Sequence, residues 1–387
     1  MNGHYDIVEF LLSLDAIKVN EVDFRGMTPL YHAVHNGHID IVKILLQHDA
    51  DPNIATKDSL NTVVCESVIN NNIEMLNVLL QCERTNVFQA DANHWTPVHY
   101  AAQMDQYEML ELFQEKNIDS LFTETLNGQR PFDIAVYWNR YESFEYFLDL
   151  YDKLDINHQD NQGNTAIHIA SKRNNMTLVH ELLKLDNIDL KIKNNEGQTP
   201  LHIAISTWSH ELMKELALSG ECDMNAVDND GLTPLLLATK LGNPTTVCFL
   251  VQQKSTNCEA TDLQGNNALH YSAKLRSSII LKCLLRSNRF DIDAKNNKGK
   301  TALDIAISYR RRENIKFLKF ILHIEEEEPI SDHSYYSDEV SQEQEEEEEI
   351  NDIVNEKEKE NLYLVGKRNG NDDDAENIED MELSLEK

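Results

Sequence analysis

Along most of the chain, apolar residues fall into two short runs per unit, parted by polar turns. The first run is typified by Thr199-Pro200-Leu201-His202-Ile203-Ala204. A Thr before Pro reads as a helix start: the hydroxyl satisfies an orphan N–H, and Pro at the first helical position loses no bond it would have made. Leu201 and Ala204 then share one face, and the small Ala lets a neighbouring helix come close. The second run is a further amphipathic helix, as in Ile41-Val42-Lys43-Ile44-Leu45-Leu46 and Leu178-Val179-His180-Glu181-Leu182-Leu183. A polar turn containing Gly precedes each first run, such as Asn194-Asn195-Glu196-Gly197 or Asp228-Asn229-Asp230-Gly231. The predicted unit is therefore helix, turn, helix and extended polar finger. One unit cannot bury its own apolar face, so stacking must make the core.

The units keep register. Thr28-Pro29-Leu30-Tyr31-His32-Ala33, Thr96-Pro97-Val98-His99-Tyr100-Ala101 and Thr233-Pro234-Leu235-Leu236-Leu237-Ala238 are plain copies. Worn copies begin at Arg130, Thr165, Asn267 and Thr301, and the faintest is Thr62-Val63-Val64-Cys65-Glu66-Ser67. The Thr-equivalent positions are 28, 62, 96, 130, 165, 199, 233, 267 and 301, spaced by 34 residues except for one interval of 35. This pattern resembles the ankyrin repeat, whose TPLHxA signature and period of about 33 residues match closely. The resemblance implies an all-α repeat solenoid of stacked helix-turn-helix units with β-hairpin-like finger loops. It also implies binding of a protein partner on the concave side. The His at the fourth position of the signature (His99, His168, His202, His270) is structural in that family.

Three segments are expected: a partial repeat at 1–22, an array of nine units at 23–324, and a disordered acidic tail at 325–387. The chain opens inside a unit, because Asn2-Gly3-His4-Tyr5-Asp6-Ile7 aligns with Asn36-Gly37-His38-Ile39-Asp40-Ile41, a second helix without its first. We read this as a fragment of a longer array rather than an improvised cap. The second unit is the most eroded, with Leu60 where Gly26 stood and Val63 in place of Pro. The fourth has Arg130 for Thr and carries an aromatic-rich helical pair. Each lost cap costs about 1 kcal/mol, so worn units should be weak points. The last recognisable helix is expected from Asn314 to Ile324.

Charge then changes the picture. From Glu325 to Lys387 there are 25 acidic and 5 basic residues, a net of −20, whereas the preceding 324 residues carry a net of −12. A run such as Glu343-Gln344-Glu345-Glu346-Glu347-Glu348-Glu349 cannot bury apolar surface, although Ile350–Val354 and Leu362–Val365 could order on a partner. Such acidity argues against nucleic acid. Six scattered cysteines without a CxxC pair speak against a disulfide framework and for a reducing compartment. No apolar run approaches the roughly 18 residues of a membrane helix, and Met1–Asp6 lacks the basic start of a leader. The expectation is a soluble, intracellular monomer, cytoplasmic or nuclear, without membrane insertion.

Catalytic chemistry is not expected. The histidines and cysteines show no metal-ligand spacing, and no nucleophilic set or cofactor motif emerges. Gly299-Lys300-Thr301 mimics the end of a phosphate loop, but Ala294 stands where that motif demands Gly. Asn175-Met176-Thr177 is a glycosylation sequon by pattern only. Function is expected on the surface of the array, as a non-enzymatic scaffold or adaptor. The alternative is the regulatory ankyrin region of a larger signalling protein, channel or latrotoxin-like toxin. Carrying the family's contact positions across gives Arg25, Met27 and His35 in the first unit. Asn93, Trp95, Met104, Gln129, Tyr137 and Trp138 follow in the third and fourth. Lys172, Arg173, Lys240, Lys274, Lys298, Lys300 and Tyr309 come from later units. An aromatic patch is thus followed by a row of cations, against which the acidic tail is expected to fold.

Overall fold

A computed structural model describes residues 3–14, 16–150 and 152–324; the expected disordered tail lies outside the described residues. The chain divides into two compact units, Met1–Asn229 and Asp230–Lys387.

Unit 1 begins with a lone helix α1 (Tyr5–Leu12) and continues with helix pairs. The pairs are α2 (Pro29–His35) with α3 (Ile39–Gln47), α4 (Val63–Ile69) with α5 (Ile73–Gln81), and α6 (Pro97–Gln103) with α7 (Tyr107–Lys116). After a short 3₁₀ turn at Ile118–Phe122 come α8 (Pro131–Trp138) with α9 (Tyr141–Asp149) and α10 (Ala166–Lys172) with α11 (Met176–Leu182). The last pair is α12 (Pro200–Ser206) with α13 (His210–Leu218). The first helices α2, α4, α6, α8, α10 and α12 stack in sequence, and each packs on the second helix of its own pair. Unit 2 repeats this with α14 (Pro234–Leu241) and α15 (Pro244–Gln252), α16 (Ala268–Ser272) and α17 (Ile279–Arg286), and α18 (Ala302–Ser308) and α19 (Arg312–Ile321). The last helix thus starts two residues earlier than expected and stops at Ile321.

The predicted Thr–Pro starts hold. Thr28 Oγ1 accepts the Tyr31 N–H at 3.0 Å, and even the eroded Thr62 accepts from Cys65 at 3.4 Å. Arg130, in the place of Thr, provides no side-chain cap for the first helical N–H groups, but the other half of the box is kept: the Asp133 carboxylate accepts the Arg130 N–H at 2.9 Å. Asp133 lies one turn into the helix, where a carboxylate also suits the helix dipole. Behind the caps, the signature's apolar positions close the core: Leu30, Val64, Val98, Ile167 and Leu201 are fully buried.

The fingers are tight turns rather than strands, and no strand occurs among the described residues. Asp23, Asp91, Asp160 and Asp262 each use one carboxylate oxygen to accept the N–H groups two and four residues on. Adjacent fingers are joined by single backbone bonds, Asn161 N–H to Asn127 O at 2.9 Å and Asn195 N–H to Gln162 O at 2.9 Å. Gly is needed where fingers touch. A Cβ on Gly197 would stand 2.7 Å from the Asn229 nitrogen, and its φ of +74° is left-handed.

The cysteines form no framework, but two of them are linked. Cys248 on α15 and Cys283 on α17 are joined as a disulfide, with Cα atoms 6.1 Å apart. Their separation of 35 residues, about one repeat, sets them on neighbouring stacked helices. Cys65, Cys82, Cys222 and Cys258 are free.

Candidate functional site

In unit 1, the C-terminal ends of α8 and α10 and the fingers leading into them enclose a cavity of about 440 Å³. It is lined by Asn127, Gln129, Tyr137, Asp160, Gln162, Asn164, Ile169, Lys172 and Arg173. The stacking of α8 on α10 brings together four of the predicted contact residues: Gln129, Tyr137, Lys172 and Arg173. The Arg173 guanidinium lies over the Tyr137 ring, 4.8 Å from its centroid. Trp138 meets Tyr137 edge-on at 5.6 Å, and the two rings are 42% and 39% exposed. Asp160 carries the opposite charge, yet it is buried, with one carboxylate oxygen already holding the Gln162 and Asn164 N–H groups of its finger. The lining therefore combines an aromatic wall, an aliphatic floor at Ile169, amides and two cations. Such a surface suits a partner side chain that is apolar along its length and carries a carboxylate at its tip.

The other predicted residues are dispersed. His35 Nδ1 lies 2.6 Å from Glu66 Oε1, and Tyr31 donates to the other oxygen at 2.7 Å, so His35 serves the joint between two repeats. Hydrogen bonds from these neighbours outweigh burial and hold the Glu66 carboxyl below its usual range. Trp95 is half-buried, packing 5.3 Å from Tyr100 and 5.9 Å from His99. Arg25 lies over Phe24, and its carbonyl accepts the Lys57 N–H. Met27 lines a separate apolar groove beside α1, and Met104 lines a mainly polar one beside Asn71, Glu108 and Glu142. The Asn93 carbonyl accepts the Leu126 N–H at 3.5 Å in the finger ladder.

Lys240, Lys274, Lys298, Lys300 and Tyr309 all belong to unit 2. Lys240 pairs with Asp230 at 3.6 Å, Lys274 sits over the Tyr271 ring, and Lys300 donates to Ser308 Oγ at 3.1 Å. Lys298 and Tyr309 are exposed.

Trp208 was missed from sequence. It ends the α12 turn with φ +59° and is 56% exposed. The equivalent residues Gly37, Asn71, Asp105, Asn139, Asn174 and Gly242 share that left-handed turn and are types that tolerate it; Arg310 adopts it as well. A Trp in a Gly/Asn slot was the available signal.

Among the described residues no group of His, Cys, Asp and Glu could hold a metal ion, and no helix is long and apolar enough to cross a membrane.

The family model described as ankyrin repeats (3 copies) matches residues 1–58, 63–160, 134–228, 167–262, 209–296 and 235–327. No curated protein matches the chain. Among solved structures, the ankyrin repeat domain of Bcl-3, described as a unique member of the IkappaB protein family, is similar at 27% identity with a TM-score of 0.52. The match covers 58% of this chain and 98% of that one. With the family model spanning nearly all of the described helices and a solved relative sharing their arrangement, the chain belongs to the ankyrin repeat family.

Proposed function

We propose that the chain is a non-enzymatic adaptor that binds a protein partner along the first-helix and finger edge of unit 1. The observation that carries this is the cavity between α8 and α10, with Arg173 stacked on Tyr137. Tyr, Trp and Arg are the residues that dominate binding energy at protein interfaces. Here Tyr137, Trp138, Arg173 and Trp208 occupy the C-terminal ends of three successive stacked helices. None of the four is fixed by the repeat, whose equivalent positions elsewhere vary widely, from Ile69 and Leu241 to Lys240, Asn36 and Gly37. The two cations select an acidic segment, and the exposed rings give it apolar footing.

The test compares partner capture by the full chain with capture by Tyr137→Ala and Arg173→Glu. Both side chains lie at the surface, so melting temperature should stay within a degree or two while capture falls at least tenfold. Undiminished capture by both variants overturns the assignment. A large drop in melting temperature marks the residues as structural and does so equally.

A further inference from the structure

In unit 2 the first helices stack in the order α14, α16, α18, and each covers the same two positions of the helix before it. Leu235 and Thr239 on α14 are sealed at 1% and 0% exposure, and Leu269 and Ala273 at α16 likewise at 1% and 0%. The same positions at α18 are Leu303, half-buried, and Ile307, 51% exposed. The end of this stack therefore presents an inter-repeat face with nothing on it among the described residues. Phe320 of the final pair is 75% exposed, but its equivalents Gln252 and Arg286 are exposed within the stack as well, so it belongs to the outer surface and not to the inter-repeat face. Ile321 and Ile324 are exposed beside it in sequence. Between Ile307 and Ile321 in sequence come the exposed cations Arg310, Arg312 and Lys316, with Glu313 facing Lys316 at 3.4 Å.

Charge and chain length indicate what covers this end. Residues 230–324 hold 15 Lys and Arg against 7 Asp and Glu, a net of +8 in a chain whose total is −32. Directly after Ile324 the sequence runs Glu325-Glu326-Glu327-Glu328, and residues 325–387 carry a net of −20. That segment contains two short apolar patches, Ile350–Val354 and Leu362–Val365. Ile350 follows Ile324 by 26 residues, and a random coil of that length spans roughly 25–30 Å, against about 15 Å for a ten-residue helix such as α19. The first patch is thereby tethered within reach at high effective concentration. We propose that the carboxyl-terminal segment Glu325–Lys387 covers the open end of unit 2. Its apolar patches lie on Leu303 and Ile307, and its glutamates face Arg310, Arg312 and Lys316. This relocates the expected tail contact. Lys240, Lys274 and Lys300 of the cationic row already have partners of their own, whereas the end face combines open apolar positions with exposed cations. The proposal is independent of the cavity in unit 1.

Amide exchange on the full chain tests it, with α14 and α15 as an internal reference. Three variants are compared with the parent: Ile350, Ile353 and Val354 each →Ser; Glu343 and Glu345 to Glu349 each →Gln; and Ile307→Asp. In dilute salt, α18 and α19 should exchange about tenfold more slowly in the parent than in any variant. Salt at 1 M, where the Debye length is about 3 Å, should reduce the difference. Equal exchange in parent and variants overturns the proposal. So does protection that grows with protein concentration, which would make a second copy the occupant. A matching change in α14 and α15 also overturns it, since the effect would then be general destabilisation.

Discussion

His168 Nε2 lies 3.1 Å from the carbonyl oxygen of Gln198, thirty residues on and at the base of the next finger. At the same time its Nδ1 accepts the Thr165 N–H at 3.3 Å, which leaves the ring proton on Nε2 and makes that nitrogen the donor. One neutral imidazole thus closes a helix cap and clips on the following unit. His99 does the same toward Gln129 at 3.2 Å, and His270 toward Lys300 at 2.9 Å.

This arrangement predicts acid sensitivity. Burial pushes the pKa of His99 and His168 down to about 4 and lowers that of His270, because a charged ring would be stranded away from water. The unfolded chain takes up these protons near pH 6.5, so the stabilising effect is complete above that pH and is lost as pH falls to about 4. His99 and His168 should then each cost about 3 kcal/mol at the acid end. Urea unfolding between pH 7 and 4 checks this; a flat stability profile would contradict it.

Asp133 works in the opposite sense. It is buried beneath the Arg130 cap, and desolvation pushes its carboxyl up to about 7. A raised folded-state pKa stabilises fully below pH 4 and loses that contribution as pH rises towards 7. Between those limits it offsets one of the histidine protons. Asp133→Asn keeps an oxygen for the Arg130 N–H and abolishes the titration. The slope of stability against pH from 4.5 to 6.5 should therefore steepen by about 1.4 kcal/mol per unit. An unchanged slope would show that Asp133 titrates normally.

The second repeat should be locally weak at Leu60. Its φ of +58° is imposed by the finger turn, where the preceding unit has Gly26 at +81°. A branched side chain there costs on the order of 1 kcal/mol. Leu60→Gly should recover part of that, raising the melting temperature by a few degrees and slowing amide exchange from Thr56 to Cys82. If melting falls instead, the exposed Leu60 side chain contributes contacts that outweigh its backbone.

How much of this was legible beforehand depends on whether a residue serves the period or departs from it. Thr199, Pro200, His202 and Ala204 recur because each unit needs the same cap, clip and close approach, so helices and core could be read directly. The substitution of Asp133 for the signature His, accepting the Arg130 N–H as His168 accepts that of Thr165, was invisible to a search for Thr. The cationic row was legible as positions but not as availability. Lys240 and Lys274 find Asp230 and Tyr271 through side-chain geometry that a repeat register does not encode. The Cys248–Cys283 link escaped because neighbouring helices, not sequence motifs, juxtapose the sulfurs. Gln129, Tyr137, Lys172 and Arg173 were chosen at equivalent positions of adjacent units, and adjacency is what stacking converts into a common cavity.

Trp208 gives the sharpest separation of folding from binding. Its left-handed backbone is one that Asn adopts readily, as Asn139 and Asn174 do at the same point of the two preceding repeats. Its ring is 56% exposed, so little core is lost on removing it. Trp208→Asn should accordingly leave the melting temperature unchanged or raise it, by up to about 1 kcal/mol in stability. Partner capture should weaken, since an exposed Trp that becomes buried in an interface is commonly worth 2 kcal/mol or more. Measured together, calorimetry and capture distinguish three cases. Higher stability with weaker capture supports a binding anchor held at a conformational cost. Lower stability shows that the ring packs against its own repeat. Unchanged capture removes Trp208 from the interface and confines the binding edge to α8 and α10.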